Sequence, residues 1–473
     1  IEINPSNEDF DQQPNHKIPP TLIINPDEDL SVMKEEIFGP VLPIKTYSDI
    51  SETINYINSK DRPLGLYYFG EDANEMDNVL KNIKGDRLIW AIVTLLAIFS
   101  FLPVYSAASN LAYSVTSGST FAFFIKHFMH LFLGFVIMYG VHIIPYRYFR
   151  GLSMVMLPIV LVLLVVTMLQ GTTIEGANAS RWIQIPIVGM SFQTSTLAAV
   201  VLMVYVARYL SKIQDKDITF KESILPLWLP VFLVLILILP ANFSTTAIMF
   251  TMVLILAFIG GYPTKYIAVI IGTGIVALGL FVLVAKAFPD LMENRINTWE
   301  NRIENFMQGG EDTEADYQIE KAKIAIASGG IQGVGPGKSV QKNFLPQSSS
   351  DFIFAIIVEE YGLIGGLFLV VMYCWLLFRI VIISQKADTI FGKLLVLGVG
   401  LPIVFQAFIN MAVAVELFPV TGQTLPLISS GGTSIWMTCL AFGIILSVSA
   451  KREEIKEKEA SEENPLEILS EAI

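Results

Sequence analysis

Ten apolar stretches, each close to the ~20 residues a helix needs to cross a bilayer, leave this chain few choices of fold. They run approximately over 88–108, 121–141, 152–170, 190–209, 224–240, 242–260, 265–286, 352–378, 392–414 and 432–450, with the tightest junction at Pro240. A backbone in lipid must satisfy its own hydrogen bonds, so stretches of this length predict helices. The expectation is an all-α polytopic membrane protein of ten spans, with a long loop between the seventh and eighth. Composition agrees, at 53% hydrophobic and 16% charged residues.

Basic residues set the expected orientation. Lys81, Lys84 and Arg87, then Arg147 and Arg150, Arg208 to Lys221, Lys265, Arg379 to Lys393, and finally Lys451 and Arg452 fall in alternate loops. Among the short loops of the other set, Arg181 is the exception. Basic loops stay in the cytoplasm, so both termini are predicted inside, and Arg181 and the loop 287–351 outside. Lys126, about a turn from the outer end of the second span, is expected to snorkel to the interface. The net charge of −12 gives no reason to expect nucleic acid as a partner. Cys374 and Cys439 sit in apolar runs and read as small core residues, with neither disulfide nor metal spacing.

Residues 1–75 have a different character, with short β-branched runs alternating with polar helical stretches. The composition break falls near Met76, and the charged segment 451–473 reads as a cytoplasmic tail.

Chemistry is expected in the long outer loop. Its stretch Tyr317–Ser328 has apolar residues at helical spacing and predicts an amphipathic helix lying on the membrane surface. Gly329, Gly330, Gly333, Gly335 and Gly337 follow, permitting tight turns. The run GVGPGKS is not a phosphate-binding loop, because Gln332 stands where the first glycine of that motif is needed and no strand precedes it. Lys338 and Lys342 either present charge to an anionic group or belong to an ordinary loop. Asp351 stands where an N-cap for a helix starting at Phe352 is expected. Glu359 and Glu360, two turns further, are carboxylates inside an apolar span, which marks a functional site or a device orienting a neighbouring helix.

The stretch GVGPGKSVQKNFLPQSSSDFIFAIIVEEYGLIGG resembles the signature of the SEDS family (shape, elongation, division and sporulation) of FtsW and RodA type. ASRWIQIP, 179–186, and FPVTGQTLPLISSGGTS, 418–434, resemble two further motifs of that family, and likeness extends over about 76–473. The Ser-Val-Gln-Lys run and the string around Leu425 are more similar to FtsW than to RodA. The resemblance implies a peptidoglycan glycosyltransferase acting in division. It would polymerise lipid II outside the membrane beside a class B penicillin-binding protein (FtsI type) and other divisome proteins. It also implies Asp351 as the catalytic acid. A carboxylate there suits the reaction, since a general base must take the proton of the attacking sugar hydroxyl. Arg181, Lys338 and Lys342 become candidate partners of the pyrophosphate, with a divalent cation (Mg or Mn) as a further aid. Glu359, Glu360, Gly335, Gly337, Ser430, Gly431 and Gly432 become supporting residues. A lipid II transporter and a non-catalytic division scaffold are the alternative readings.

Two departures from the family pattern stand out. A charged pair expected near the fourth span is replaced by Thr196 and Ala199, and an aspartate before the sixth by Asn242. Losing both members of a pair is cheaper than losing one, because no uncompensated charge is left behind. Residues 1–75 resemble a C-terminal fragment of an aldehyde dehydrogenase, Glu36 and Phe38 matching its cofactor contacts. The first cysteine of the chain is Cys374, so the nucleophile is missing and no NAD-dependent activity is expected. Met76 is the expected natural start and a fusion or assembly artefact the expected origin of what precedes it.

Overall fold

The computed structural model describes residues 19, 21–33, 39–59, 72, 86–115, 120–170, 182–184, 191–214, 216, 218–287, 314–345, 348–387 and 389–450. Met76, Glu36, Phe38, Arg181 and the tail 451–473 therefore lie outside the described residues. The chain forms two compact units, Ile1–Lys84 and Gly85–Ile473. In the first, strands β1 (Thr21–Ile24) and β2 (Val41–Ile44) pair in parallel and helix α1 (Ile50–Ser59) follows.

The second unit is helical: α2 (Arg87–Val115), α3 (Thr120–Ile143), α4 (Arg147–Gln170), α5 (Thr194–Ile213), α6 (Phe220–Ile238), α7 (Phe243–Ile259), α8 (Thr264–Ala287), α9 (Glu314–Gly329), α10 (Ile353–Lys386), α11 (Ile390–Ala414) and α12 (Gly432–Ser449). By length and composition eight of these can cross a membrane. At the expected sixth and seventh spans stand α7, of 17 residues, and α8, whose apolar described part is 264–276. The expected fourth span begins late, because Ser191–Gln193 forms strand β4, antiparallel to β3 (Trp182–Gln184). Helix α12 lies at the bundle centre, with 78% of its apolar window buried, and α3 at the rim, with 22% of its window buried. These two pack through small residues: a Cβ on Gly134 would lie 2.8 Å from Cys439 Sγ, and one on Gly443 2.8 Å from Met138 O.

The eighth span departs most from expectation. Helix α10 is broken at Gly362, whose φ of 68° and ψ of −168° are not helical. A break leaves carbonyls and N–H groups without intrahelical partners, an expensive state away from water. The glycine-rich loop supplies the partners. Val334 N–H donates to Glu359 O (2.9 Å) and Gly335 N–H to Glu360 O (3.0 Å). In return Leu363 N–H donates to Gly330 O (2.9 Å). Two backbones meet so closely here that a Cβ on Gly362 would sit 2.2 Å from Ile331 O, and one on Gly333 2.2 Å from Glu360 O. Before the break, every residue from Ile353 to Glu360 is buried in protein.

Helix α9 is where the amphipathic helix was expected, and part of its apolar surface is covered by protein while Tyr317 and Ile324 stay exposed. Ile319, Ala322 and Ala325 pack against Phe352, Ala355 and Ile356. The broken helix offers an apolar flank at the right height, and burying it there removes both surfaces from solvent.

Gly362→Ala is expected to destabilise the protein by about 3 kcal/mol or more, since it combines a left-handed backbone with a backbone clash. The folded yield in detergent and the thermal unfolding midpoint check this, and Gly274→Ala, whose added Cβ meets only Phe250 ring carbons at 3.9 Å, serves as the mild control.

Candidate active site

The carboxylate Asp351 lies in a turn that leads into α10. That helix starts one residue later than expected. Phe352 is the N-cap, makes no side-chain capping bond, and its carbonyl accepts from Ala355 N–H (3.0 Å) and Ile356 N–H (3.4 Å). Asp351 thus precedes the cap. Its carboxylate is half-buried and faces the segment 420–431, where a Cβ on Gly422 would stand 3.3 Å from Oδ2. Gly422 also has φ of 63°, so both space and backbone favour glycine there.

Two loops far apart in sequence are fastened together around this acid. Ser430 donates its N–H (2.9 Å) and its hydroxyl (2.8 Å) to Ser349 O. Ser429 donates its hydroxyl to Ser350 O (2.7 Å). Asn410, on α11, donates to Asp351 O and to Gln423 O, both at 2.7 Å. Gln406, one helical turn earlier, donates to Thr424 O (2.8 Å). Gly431 forms the N-cap of α12, and a Cβ on Gly432 would lie 2.6 Å from the His130 ring.

A second cluster gathers around the helix break. Glu359 is buried and accepts from the Ser339 hydroxyl and from the N–H groups of Val340 (2.9 Å) and Gln341 (3.3 Å). Glu360, equally buried, accepts from the Ser106 hydroxyl and Ser339 N–H (3.4 Å). Lys342 donates its ammonium to Ser106 Oγ (3.2 Å) and Gly337 O (2.8 Å). Lys338 is exposed and lies over Gly335, its Nζ 3.8 Å from where a Cβ would be. Gly335 and Gly337 both have positive φ. From Ile353 to Glu360 the helix advances about 10 Å, which separates the two clusters along one buried rod.

Sequence reasoning missed Asn410, Gln406, Ser349, Ser429, Ser339 and Ser106. Asn410 and Gln406 had a readable signal, two amides one turn apart in an apolar span. Ser339, Ser349 and Ser429 lie in the stretches that carry the family resemblance but had no individual signal, and Ser106 had none, since single hydroxyls are common in such helices and loops. Arg181 lies outside the described residues.

Thr196, Ala199 and Asn242 line one cavity between α5, α7, α11 and α12, closed on one side by Gly422, Gln423 and Thr424. Its described lining contains no ionisable side chain. Asn242 has a local task, accepting from Thr245 N–H (3.1 Å) as the N-cap of α7. No three His, Cys, Asp or Glu side chains come together among the described residues. They therefore do not form a self-sufficient site for Mg or Mn.

The family described as cell cycle protein, comprising FtsW, RodA and SpoVE, matches residues 86–454. The chain belongs to the FtsW/RodA/SpoVE family. A relative from Geobacter sulfurreducens, named probable peptidoglycan glycosyltransferase FtsW, is 33% identical over 79% of this chain and 97% of its own length. A protein of the same name from Coxiella burnetii is 30% identical over 77% of this chain and 96% of its own. The fold is shared with rod shape determining protein RodA of Thermus thermophilus, with a TM-score of 0.55 at 23% identity over 78% of this chain and 98% of that one. It is also shared with a chain of a peptidoglycan synthase complex that coordinates polymerization and crosslinking, with a TM-score of 0.62 at 24% identity over the same shares. Residues 4–89 match the aldehyde dehydrogenase family.

The neutral cavity makes a direct prediction. Thr196→Glu alone is expected to lower the thermal unfolding midpoint, because it buries a charge without a partner. Adding Ala199→Lys, one turn away, is expected to recover part of the loss. Equal midpoints for the single and the double variant would contradict this.

Proposed function

We propose that this chain is a peptidoglycan glycosyltransferase that polymerises lipid II into glycan strands at the outer face of the cytoplasmic membrane during division, releasing polyprenyl pyrophosphate. The observation that carries the reading is the agreement, over nearly their whole length, with relatives named for that transfer. A half-buried carboxylate held at the junction of two loops supports it chemically.

In this reading Asp351 accepts the proton of the attacking sugar hydroxyl. The new bond forms at the anomeric carbon as its bond to the pyrophosphate oxygen breaks, and Asp351 ends protonated. Lys338, exposed on the glycine-rich loop, and Arg181 would meet the leaving pyrophosphate. Lys342 already gives two of its three ammonium donors to Ser106 and Gly337, so its first task is to hold the loop. Glu359 and Glu360 fix the same loop by accepting its N–H groups and the Ser339 and Ser106 hydroxyls. The chain would lie in the cytoplasmic membrane with both termini inside, at the division septum. It would work with a class B penicillin-binding protein, a reading supported by the shared fold with a chain of a polymerising and crosslinking complex.

Asp351→Asn is expected to lower glycan polymerisation from labelled lipid II by at least ~100-fold while leaving the protein folded. Undiminished product would sink the assignment of the base. Lipid II flipping in vesicles that survives the same substitution, without any polymer, would favour a transporter. Deleting residues 1–75 is expected to leave polymerisation unchanged, since that unit lacks a catalytic nucleophile and the family match starts at residue 86. A folded, inserted truncation without activity would show that the segment belongs to the working protein.

A further inference from the structure

We infer that Asn410 is a positioning residue for the acid Asp351, acting through the main chain of the loop that bears it. The inference rests on the reading of Asp351 as the base and deepens it.

Asn410 is a polar side chain deep in an otherwise apolar helix, with only 1% of its surface exposed. Both hydrogens of its amide are used, one on Asp351 O and one on Gln423 O. The two acceptors belong to different loops, so a single side chain fixes the distance between the acid and the segment its carboxylate faces. Its Oδ1 is buried with no partner among the described residues. Turning the amide over would aim that oxygen at two carbonyl oxygens, so the acceptors dictate which way the group points.

The surrounding bonds explain why this clamp matters more than the others. Ser429 and Ser430 hold the carbonyls of Ser350 and Ser349, which lie upstream of the acid. Asn410 holds the peptide of Asp351 itself. On the other side Gln423 is tied by its own amide to Thr245 Oγ1 (2.9 Å), which makes the segment a firm reference. Without Asn410 the Asp351 carbonyl would lose this donor and the peptide could rotate about its neighbours. A base displaced by about 1 Å from its proton loses up to ~100-fold in rate. Substrate binding would change little, because Asn410 is covered by protein.

The test uses the full chain in detergent with a class B penicillin-binding protein and labelled lipid II. Asn410→Ala is expected to lower kcat by ~10–100-fold, leave KM for lipid II unchanged, and shift the acidic limb of the pH–rate profile. Asn410→Ser, which keeps one donor, is expected to fall between this variant and the wild type. A folded Asn410→Ala with wild-type kcat overturns the inference. So does a loss of activity that follows the loss of thermal stability, with an unmoved pH profile. If Asn410→Ala does not fold, Asn410→Ser decides by the same readouts. Asp351→Asn run alongside separates the two levels: if it stays active, the base assignment fails, and an inactive Asp351→Asn beside a fully active Asn410→Ala removes the positioning role alone.

Discussion

The interruption of helix α10 at Gly362 is the constraint on which the rest of this architecture depends. A helix in an apolar bundle cannot stop without its backbone groups finding partners, because no water is there to take them. Here the partners are the carbonyls and N–H groups of the glycine-rich loop, which approaches so closely that side chains would collide with its backbone. The loop and the break therefore require each other. Once they are joined, the segment before the break becomes an internal rod, α9 has a flank to cover, and Asp351 is delivered to its end.

The two kinds of acid on this rod have different surroundings. Glu359 and Glu360 are enclosed, and the donors around them come mostly from the loop that they fix. Asp351 is half-buried and faces a glycine. A carboxylate surrounded by fixed donors is a good anchor. One at the edge of the bundle, on a loop whose backbone is clamped, is placed where a substrate hydroxyl could reach it. The cavity beside Gly422 is neutral, its described lining holding Thr196 and Ala199 where a charged pair was expected.

Much of this was legible in the sequence. The apolar stretches gave the helices, and Gly329 to Gly337 announced a loop of unusual backbone, although not what it touches. The helix at Tyr317 was read as amphipathic, and three of its apolar residues, Ile319, Ala322 and Ala325, are covered by protein, because periodicity reports that a face is apolar and not what covers it. Asp351 was expected as the cap and Phe352 takes that place, a difference of one residue decided by how the first turn closes. Ser430, Ser429 and Ser349 lie in the stretches that carried the family resemblance, but which carbonyl each would hold was not legible, since a hydroxyl acquires that meaning only from the group opposite it.

The sequence by itself determined that this chain is a helical membrane protein with a carboxylate at the mouth of a late helix. Hydropathy and the requirement of backbone satisfaction act locally and leave no alternative at that level. Only the tertiary structure decided that the eighth span is broken, that Asn410 and Ser430 reach the acid's loop, and that the departures at Thr196, Ala199 and Asn242 share one cavity. Those are relations between residues up to hundreds of positions apart, and packing alone brings them together.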